Sequence, residues 1–202
     1  MGSPRMPDFK VLLARLSRVL GERELPFMII GGQAVLLHGE PRLTQDVDVT
    51  LGVGPARLPD VLSVCQDLEL EPLPEDVKDF VQSTFVLPAA DRVTGIRVDF
   101  IFSTTKYEAE AISRAQSVEI GEAFVPFATA EDLIIHKLFA GRPRDIEDAV
   151  GVVRRKGLEL NWDYLRRWVA EFALVPGREN LPDALEELRS ELGAEEESGR
   201  AS

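Results

Sequence analysis

The stretch FMIIGGQAVLLHGEPRLTQDVDVTL, residues 27–51, decides the fold of this chain. Its first four residues are apolar and partly β-branched, which predicts a short buried strand. Gly31 and Gly32 interrupt that run, and because glycine has no Cβ, the backbone N–H groups there can approach a ligand closely. A short helix is predicted over 33–38, and its N-terminus adds N–H groups without intrahelical partners. The segment therefore predicts an anion site between a strand and a helix.

A second strand is predicted at the end of this stretch, over Asp46–Leu51. Alternate residues of a strand share a face, so Asp46 and Asp48 project together while the valines beside them enter the core. A later strand, 96–102, carries Asp99 within an apolar run, where a carboxylate is costly to bury without a partner or a metal. Mg²⁺ prefers such hard oxygen ligands together with substrate phosphates. The three aspartates therefore predict a Mg²⁺ site for a nucleotide, and a solvated strand face is the alternative explanation.

The composition is that of an ordinary globular chain with a strong acidic excess. Of its 202 residues, 45% are hydrophobic and 29% are charged, and the formal net charge is -12. This charge disfavours broad non-specific binding to nucleic acid. A basic run over 142–156 leaves a local basic patch open, with a solvated helix face as the alternative. We find no signal-peptide pattern and no apolar run of membrane-spanning length, so we expect a cytoplasmic protein without a membrane partner.

Strand patterns concentrate before residue 127 and helix patterns after it. This distribution predicts an α+β chain, with a mixed α/β sheet flanked by helices and a C-terminal helical segment. We expect a core domain with an N-terminal helix over 1–127, a helical segment packed on it over 128–192, and a disordered acidic tail over 193–202. Pro126 is interpreted as the mark of a sheet edge.

Two groups of residues resemble the nucleotidyltransferase superfamily that includes DNA polymerase β, and within it the AbiEii-like, toxin-type branch. The first group is Gly31-Gly32-Gln33-Ala34, His38-Gly39 and Arg42-x-Thr44-x-Asp46-x-Asp48, and the second is Glu131–Leu138 with Arg142-x-Arg144-Asp145-x-x-Asp148. The resemblance covers about 27–148. It implies that superfamily's fold and transfer of a nucleoside monophosphate from an NTP to a hydroxyl, with Mg²⁺ or Mn²⁺ as cofactor and pyrophosphate leaving. One departure is Gly32, where many members carry a serine whose hydroxyl contacts phosphate.

The resemblance also implies roles for individual residues. The expected catalytic residues and metal ligands are Asp46, Asp48 and Asp99. The expected nucleotide-binding residues are Gly31, Gly32, Arg42, Thr44, Lys137 and Asp145. An ordinary exposed lysine is the alternative for Lys137, and a role in the turn before the strand is the alternative for Arg42 and Thr44. Asp145 and Asp148 share a helix face, so they are expected to orient Lys137 or Arg144, or simply to favour the helix N-terminus.

Three hypotheses about function stay open at this point. The first is an active nucleotidyltransferase, whose acceptor could be tRNA, a protein hydroxyl or a small molecule such as an aminoglycoside. The second is a non-catalytic nucleotide- or RNA-binding module on the same fold, which the missing serine and the arginine run would suit. The third is a protein-interaction partner, such as the toxin that binds a cognate antitoxin, and it can coexist with the first.

Overall fold

The computed structural model describes residues 9–199, with side chains described up to residue 192. The chain divides into two compact units. The sheet unit comprises residues 1–33 and 43–128, and the helical unit comprises 34–42 and 129–202. The sequence pattern grouped 34–42 with the preceding strand, whereas the structure assigns it to the helical unit.

The described strands all lie in the sheet unit and form one mixed sheet. Their bounds are β1 Phe27–Ile30, β2 Asp46–Leu51, β3 Leu70–Pro72, β4 Val86–Asp91, β5 Arg97–Phe102, β6 Gln116–Ile120 and β7 Ala123–Phe127. The strand order across the sheet is β3-β4-β5-β2-β1-β7-β6. β2 pairs antiparallel with β1 and parallel with β5. The expected mixed sheet is therefore confirmed.

The alternating burial of β2 determines which face of the sheet carries the aspartates. Val47 and Val49 are fully buried, whereas Asp46 and Asp48, which alternate with them, are half-buried. β5 follows the same pattern, with half-buried Asp99 between two buried neighbours. Because a shift by one residue would exchange the two faces, the apolar residues hold the carboxylates on the face away from the core.

The helices of the described chain surround or follow these strands. Their bounds are α1 Phe9–Glu22, α2 Gly31–His38, α3 Leu58–Leu68, α4 Val77–Thr84, α5 Lys106–Arg114, α6 Ala130–Ala140, α7 Pro143–Lys156, α8 Trp162–Phe172 and α9 Leu181–Gly199. α6 begins after Thr129, whose hydroxyl accepts the N–H of Asp132, and it ends at Gly141 with φ +68°. Within residues 9–199, no helix is both long and apolar enough to cross a membrane.

Each unit has its own buried apolar core. In the sheet unit, α1 packs against α3 and β7. The largest fully buried side chains there are Leu16, Leu20, Met28, Ile29, Leu51, Leu68, Leu87 and Phe100. In the helical unit they are Leu133, Ile134, Ile135 and Leu165.

The interpretation of Pro126 as a sheet edge is wrong. Its strand, β7, lies between β1 and β6, and β6 is the edge. β7 pairs with β1 through a single residue pair, Ile29 with Phe127. Such a short pairing does not require an N–H at Pro126, so proline is tolerated in an interior strand.

Two further differences concern short or terminal segments. The expected end of the last helix at residue 192 is wrong, because α9 continues to Gly199. The continuation, residues 193–199, contains three glutamates and one alanine, which are strong helix formers. Residues 200–202 of the expected acidic tail lie outside the described residues. β3 was not predicted at all, because it has only three residues and its pairing with β4 is distant in sequence.

Candidate active site

The three aspartates predicted as metal ligands share one face of the paired strands β2 and β5. In the parallel register, Asp48 lies opposite Asp99, and Asp46 lies opposite Arg97. Because neighbouring strands are about 4.8 Å apart, the side chains of Asp48 and Asp99 leave the sheet close together. All three aspartates are half-buried, so a ligand can still reach their carboxylates. The structure thus brings the predicted carboxylates onto one accessible face.

The diglycine at the start of α2 lies against this face. Gly31 has φ +63°, and a Cβ built there would overlap Oδ2 of Asp48. A Cβ built on Gly32 would overlap Oγ1 of Thr44. Since neither glycine has a side chain, both polar groups can approach the first turn of α2, where N–H groups lack intrahelical partners. The predicted phosphate cradle and the predicted carboxylates therefore adjoin.

Thr44 positions the first of the three carboxylates. Its hydroxyl donates to Oδ1 of Asp46 at 3.0 Å, and it also lies 3.3 Å from the backbone carbonyl oxygen of that residue. The structure thus shows Thr44 as a partner of Asp46. Contact between Thr44 and a nucleotide stays a prediction.

Arg97 belongs to the same face, although the sequence assigned it no role. Its Nε donates to Oδ1 of Asp99 at 2.7 Å. This hydrogen bond, together with the charges of Asp46 and Asp48, raises the pKa of Arg97 above its ordinary value. The signal was present in the sequence, because residues two apart on a strand share a face. The arginine therefore places a permanent positive charge of the protein itself beside the carboxylates.

The carboxylates on this face fit a Mg²⁺ ion as one part of its coordination shell. Among the side chains that the structure describes, no three His, Cys, Asp or Glu groups are arranged to hold a metal ion by themselves. Asp99 accepts a hydrogen bond from Arg97, and Asp46 accepts one from Thr44. Mg²⁺ usually takes one or two carboxylates and completes its shell with water and substrate phosphates. Asp48, joined by Asp46 or Asp99, would hold it, and the bound ion would neutralise phosphate charge.

The remaining predicted residues form an ion-pair network inside the helical unit. Nζ of Lys137 lies 2.8 Å from Oδ1 of Asp145 and 2.8 Å from Oδ2 of Asp148. Arg42 donates to both carboxylate oxygens of Asp148, at 2.7 and 2.9 Å. The Lys137 side chain is only 8% exposed, so the alternative of an ordinary exposed lysine is wrong. Both aspartates contact Lys137 as expected, while the nucleotide-binding roles of Arg42, Lys137 and Asp145 stay predictions.

The two aspartates of this network are held in their charged form. Burial raises the pKa of Asp145, but hydrogen bonds from Arg142 and Lys137 outweigh it and lower the pKa below its ordinary value of 3.8. Burial likewise raises the pKa of Asp148, and hydrogen bonds from Arg42 and Lys137 lower it overall. Both carboxylates are therefore ionised at neutral pH, which keeps Lys137 paired.

The basic run over 142–156 has protein partners at most of its charges. Arg142 pairs with Asp145, and Arg154 lies 3.0 Å from a carboxylate oxygen of Glu191. Arg155 donates to the carbonyl oxygen of Gly39 at 2.8 Å, and Lys156 lies 3.0 Å from a carboxylate oxygen of Glu159. These contacts favour the structural explanation of the run over a phosphate-binding patch.

A diglycine turn into a helix, followed by a strand with two aspartates, one of which is in register with a third, is the arrangement of the nucleotidyltransferase fold class. The family model described as "Nucleotidyltransferase of unknown function (DUF6036)" matches residues 8–180. The chain belongs to that family. This match confirms the expected membership of a nucleotidyltransferase family. The assignment to the AbiEii-like branch stays a prediction.

Solved structures share the fold at low sequence identity. A solution structure of the antibiotic-resistance factor ANT(2'')-Ia superposes with a TM-score of 0.51 at 16% identity, covering 95% of this chain and 95% of that chain. An antigenic nucleotidyltransferase-like protein from Paracoccidioides brasiliensis gives a TM-score of 0.53 at 17% identity, covering 88% and 91% of the two chains. The lincosamide antibiotic adenylyltransferase LnuA, with lincomycin bound, gives 0.50 at 10% identity, covering 73% and 96%. No curated protein sequence matches the chain.

Proposed function

We propose that the protein transfers a nucleoside monophosphate from an NTP to a hydroxyl acceptor, with Mg²⁺ or Mn²⁺ held by the aspartates of β2 and β5. The observation that supports this most is the position of Asp48, which lies in register with Asp99 and against Gly31 at the start of α2. At Gly31 there is no side chain between Asp48 and the N-terminus of α2. Membership of a nucleotidyltransferase family supports the same class of reaction.

In this proposal each part of the site has a separate task. The N–H groups of the first turn of α2 bind oxygens of the triphosphate. Asp99 accepts the proton of the attacking hydroxyl. The acceptor oxygen then forms a bond to the α-phosphorus, the bond from that phosphorus to the bridging oxygen breaks, and pyrophosphate leaves.

We propose a small hydroxylated molecule as the acceptor. The chain has a net charge of -12, which repels polyanions and attracts cations. The basic run that would otherwise favour RNA has partners within the protein. Structures that share the fold are described as ANT(2'')-Ia in complex with adenylyl-2''-tobramycin and as a lincosamide antibiotic adenylyltransferase. A cationic aminoglycoside is therefore the first class of acceptor to test.

A second candidate is a toxin of the AbiEii-like branch that modifies tRNA or protein and binds a cognate antitoxin. The resemblance of 31–48 and 131–148 to that branch supports it. A stable complex with the product of a neighbouring small gene upon co-expression would favour this candidate. Failure of that product to co-purify would count against it.

The test is a transfer assay with each NTP labelled at the α-phosphate, in the presence of Mg²⁺. Three acceptor pools are compared: aminoglycosides with lincosamides, total tRNA, and protein. We expect labelled aminoglycoside or lincosamide, and at least about a hundredfold less product with Asp48→Asn, because a metal-binding carboxylate is removed. Asp60→Asn is the matched control, since Asp60 is an exposed carboxylate of the same unit that pairs only locally, with Arg57.

The outcomes separate the hypotheses. Equal background turnover by wild type and Asp48→Asn with every acceptor would contradict catalysis. NTP binding without product, measured by calorimetry, would then point to the non-catalytic nucleotide-binding module. Product with tRNA or protein alone would replace the small-molecule acceptor by the toxin hypothesis.

A further inference from the structure

Arg97 is placed where it competes with any cation that approaches Asp99. It lies two residues before Asp99 on β5, and its Nε donates to Oδ1 of that aspartate at 2.7 Å. In the strand register it stands opposite Asp46. The guanidinium therefore belongs to the carboxylate face.

The exposure of the two side chains shows which one can move. The Asp99 side chain is 16% exposed, whereas that of Arg97 is 52% exposed. Asp99 is confined by the buried residues on either side of it, Val98 and Phe100. Arg97 has a long side chain with a solvated end, so it can leave Asp99 without any change in the backbone.

From this geometry we propose that Arg97 is the resident counter-cation of the carboxylate site and is displaced from Asp99 when a divalent metal binds. The inference rests on the proposed function, because it assumes that these aspartates bind the metal. Three carboxylates on one face repel one another, and a guanidinium among them relieves the repulsion in the metal-free protein. A divalent cation seeks the same oxygen atoms and is repelled by the guanidinium, so the two cations exclude each other at Asp99.

In the metal-free protein, Oδ1 of Asp99 is occupied by the hydrogen bond from Arg97, while Asp48 is the neighbour of Asp99 in register. Once the metal is bound, Arg97 is free to leave the face. Arg97 acts in this account as a positioning residue, which keeps Asp99 ordered until the metal arrives.

The test is Mn²⁺ binding without nucleotide, measured by electron paramagnetic resonance and by calorimetry. Wild type is compared with Arg97→Gln, which keeps a polar side chain and removes its charge. We expect the Kd for Mn²⁺ to fall about tenfold in Arg97→Gln, since a charge-assisted hydrogen bond that competes with the metal has been removed. If this variant yields no folded protein, Arg97→Met removes the same charge with an apolar chain.

The matched control is Arg92→Gln, which removes the same charge from the same unit. Arg92 lies in the turn between β4 and β5, is 66% exposed, and faces Glu71 rather than the aspartates. We expect its Kd for Mn²⁺ to stay within about twofold of the wild-type value, because distant surface charges are screened by salt.

A purely structural pair between Arg97 and Asp99 would make Mn²⁺ binding equal or weaker in Arg97→Gln, and that result would overturn the inference. The absence of Mn²⁺ binding in both proteins would overturn it too. Neither result decides the proposed function, which the transfer assay with Asp48→Asn tests independently. Loss of transfer activity in Asp48→Asn combined with unchanged Mn²⁺ binding in Arg97→Gln would leave the function standing without this role for Arg97.

Discussion

At the scale of single residues, the site depends on side chains that are missing as much as on those that are present. Gly31 and Gly32 leave the space that Asp48 and Thr44 occupy beside α2. The sequence predicted both glycines as phosphate-binding residues, and the structure gives them a second task, which is to make room for the carboxylate strand.

Gly31→Ala tests that task directly. We expect it to lower the free energy of unfolding by about 1–2 kcal/mol, because alanine is strained at positive φ, and to weaken Mn²⁺ binding, because the new Cβ displaces Asp48. Gly95→Ala is the control: Gly95 has φ +72°, but a Cβ there meets nothing within 4 Å. Urea unfolding should show a loss in both variants, larger in Gly31→Ala because its new Cβ also overlaps Asp48, and only Gly31→Ala should change Mn²⁺ affinity. Unchanged affinity in Gly31→Ala would contradict this account.

Gly32 and Thr44 should behave as a coupled pair. A serine at position 32, as many superfamily members have, would collide with Thr44, so Gly32→Ser alone should be destabilising. Thr44→Ala removes Oγ1, the atom nearest to a new Cβ at position 32, and leaves the Cβ of residue 44. The double variant should therefore recover part of the loss, about 1 kcal/mol relative to the sum of the single variants. Urea unfolding of the four proteins measures this coupling energy. A coupling energy of zero would mean that the two side chains do not compete.

At the scale of elements, the ion pairs inside the helical unit join α6 and α7 to the segment 34–42. Asp148 is central, because it accepts from both Arg42 and Lys137. Arg42 and Lys137 both lie in the helical unit. The network therefore contributes to the stability of that unit, independently of any role in nucleotide binding.

We expect Asp148→Ala to lower the stability of the helical unit by about 3 kcal/mol, since a buried lysine loses one of its two carboxylates. Glu191→Ala, which breaks the exposed pair with Arg154, should change stability by less than about 1 kcal/mol. Both tryptophans of the chain lie in α8, so their fluorescence during urea unfolding reports on this unit. Equal effects of the two substitutions would contradict a stabilising role for the buried network.

The same carboxylates predict loss of stability in acid. Their pKa values lie below 3.8 in the folded protein, so the unfolded chain binds more protons at low pH. Their contribution is therefore complete above the unfolded value and is lost as pH falls through the lower folded values. Tryptophan fluorescence between pH 7 and pH 2 should show this decline, and Asp148→Asn should flatten it. An identical decline in the variant would assign the acid sensitivity to other groups.

At the scale of the whole molecule, the acidic charge predicts which partners are excluded. With a net charge of -12 and its basic run largely paired, the protein should bind tRNA with a Kd weaker than about 100 µM, at the weak end of non-specific binding. Fluorescence anisotropy of labelled tRNA at 50 and 200 mM salt measures this. Tight binding that weakens steeply with salt would reveal a phosphate-binding surface and favour the RNA acceptor.

The sequence predicted those parts of the molecule whose signals are local. The bounds of β1 and β2 agree with the expectation because an apolar run marks the first and an alternating pattern marks the second. Pairings between distant segments left no such mark, which is why β3 was missed and β7 was misread as an edge. For the site, the three aspartates could be predicted, but the ion pair of Arg97 depends on the conformation of a long side chain. Likewise, residues 34–42 belong to the helical unit because of contacts with residues far along the chain, which local sequence patterns do not reveal.

The division of the chain has a consequence for inheritance. Because 34–42 belongs to the unit formed mainly by 129–202, the codons on neither side of position 128 encode a complete helical unit. A recombination event between homologous genes near codon 128 would combine Arg42 and Gly39 from one parent with the Asp148 and Arg155 that they contact from the other. Hybrids between diverged parents should therefore often fail, and the two halves of the gene are expected to have been inherited together.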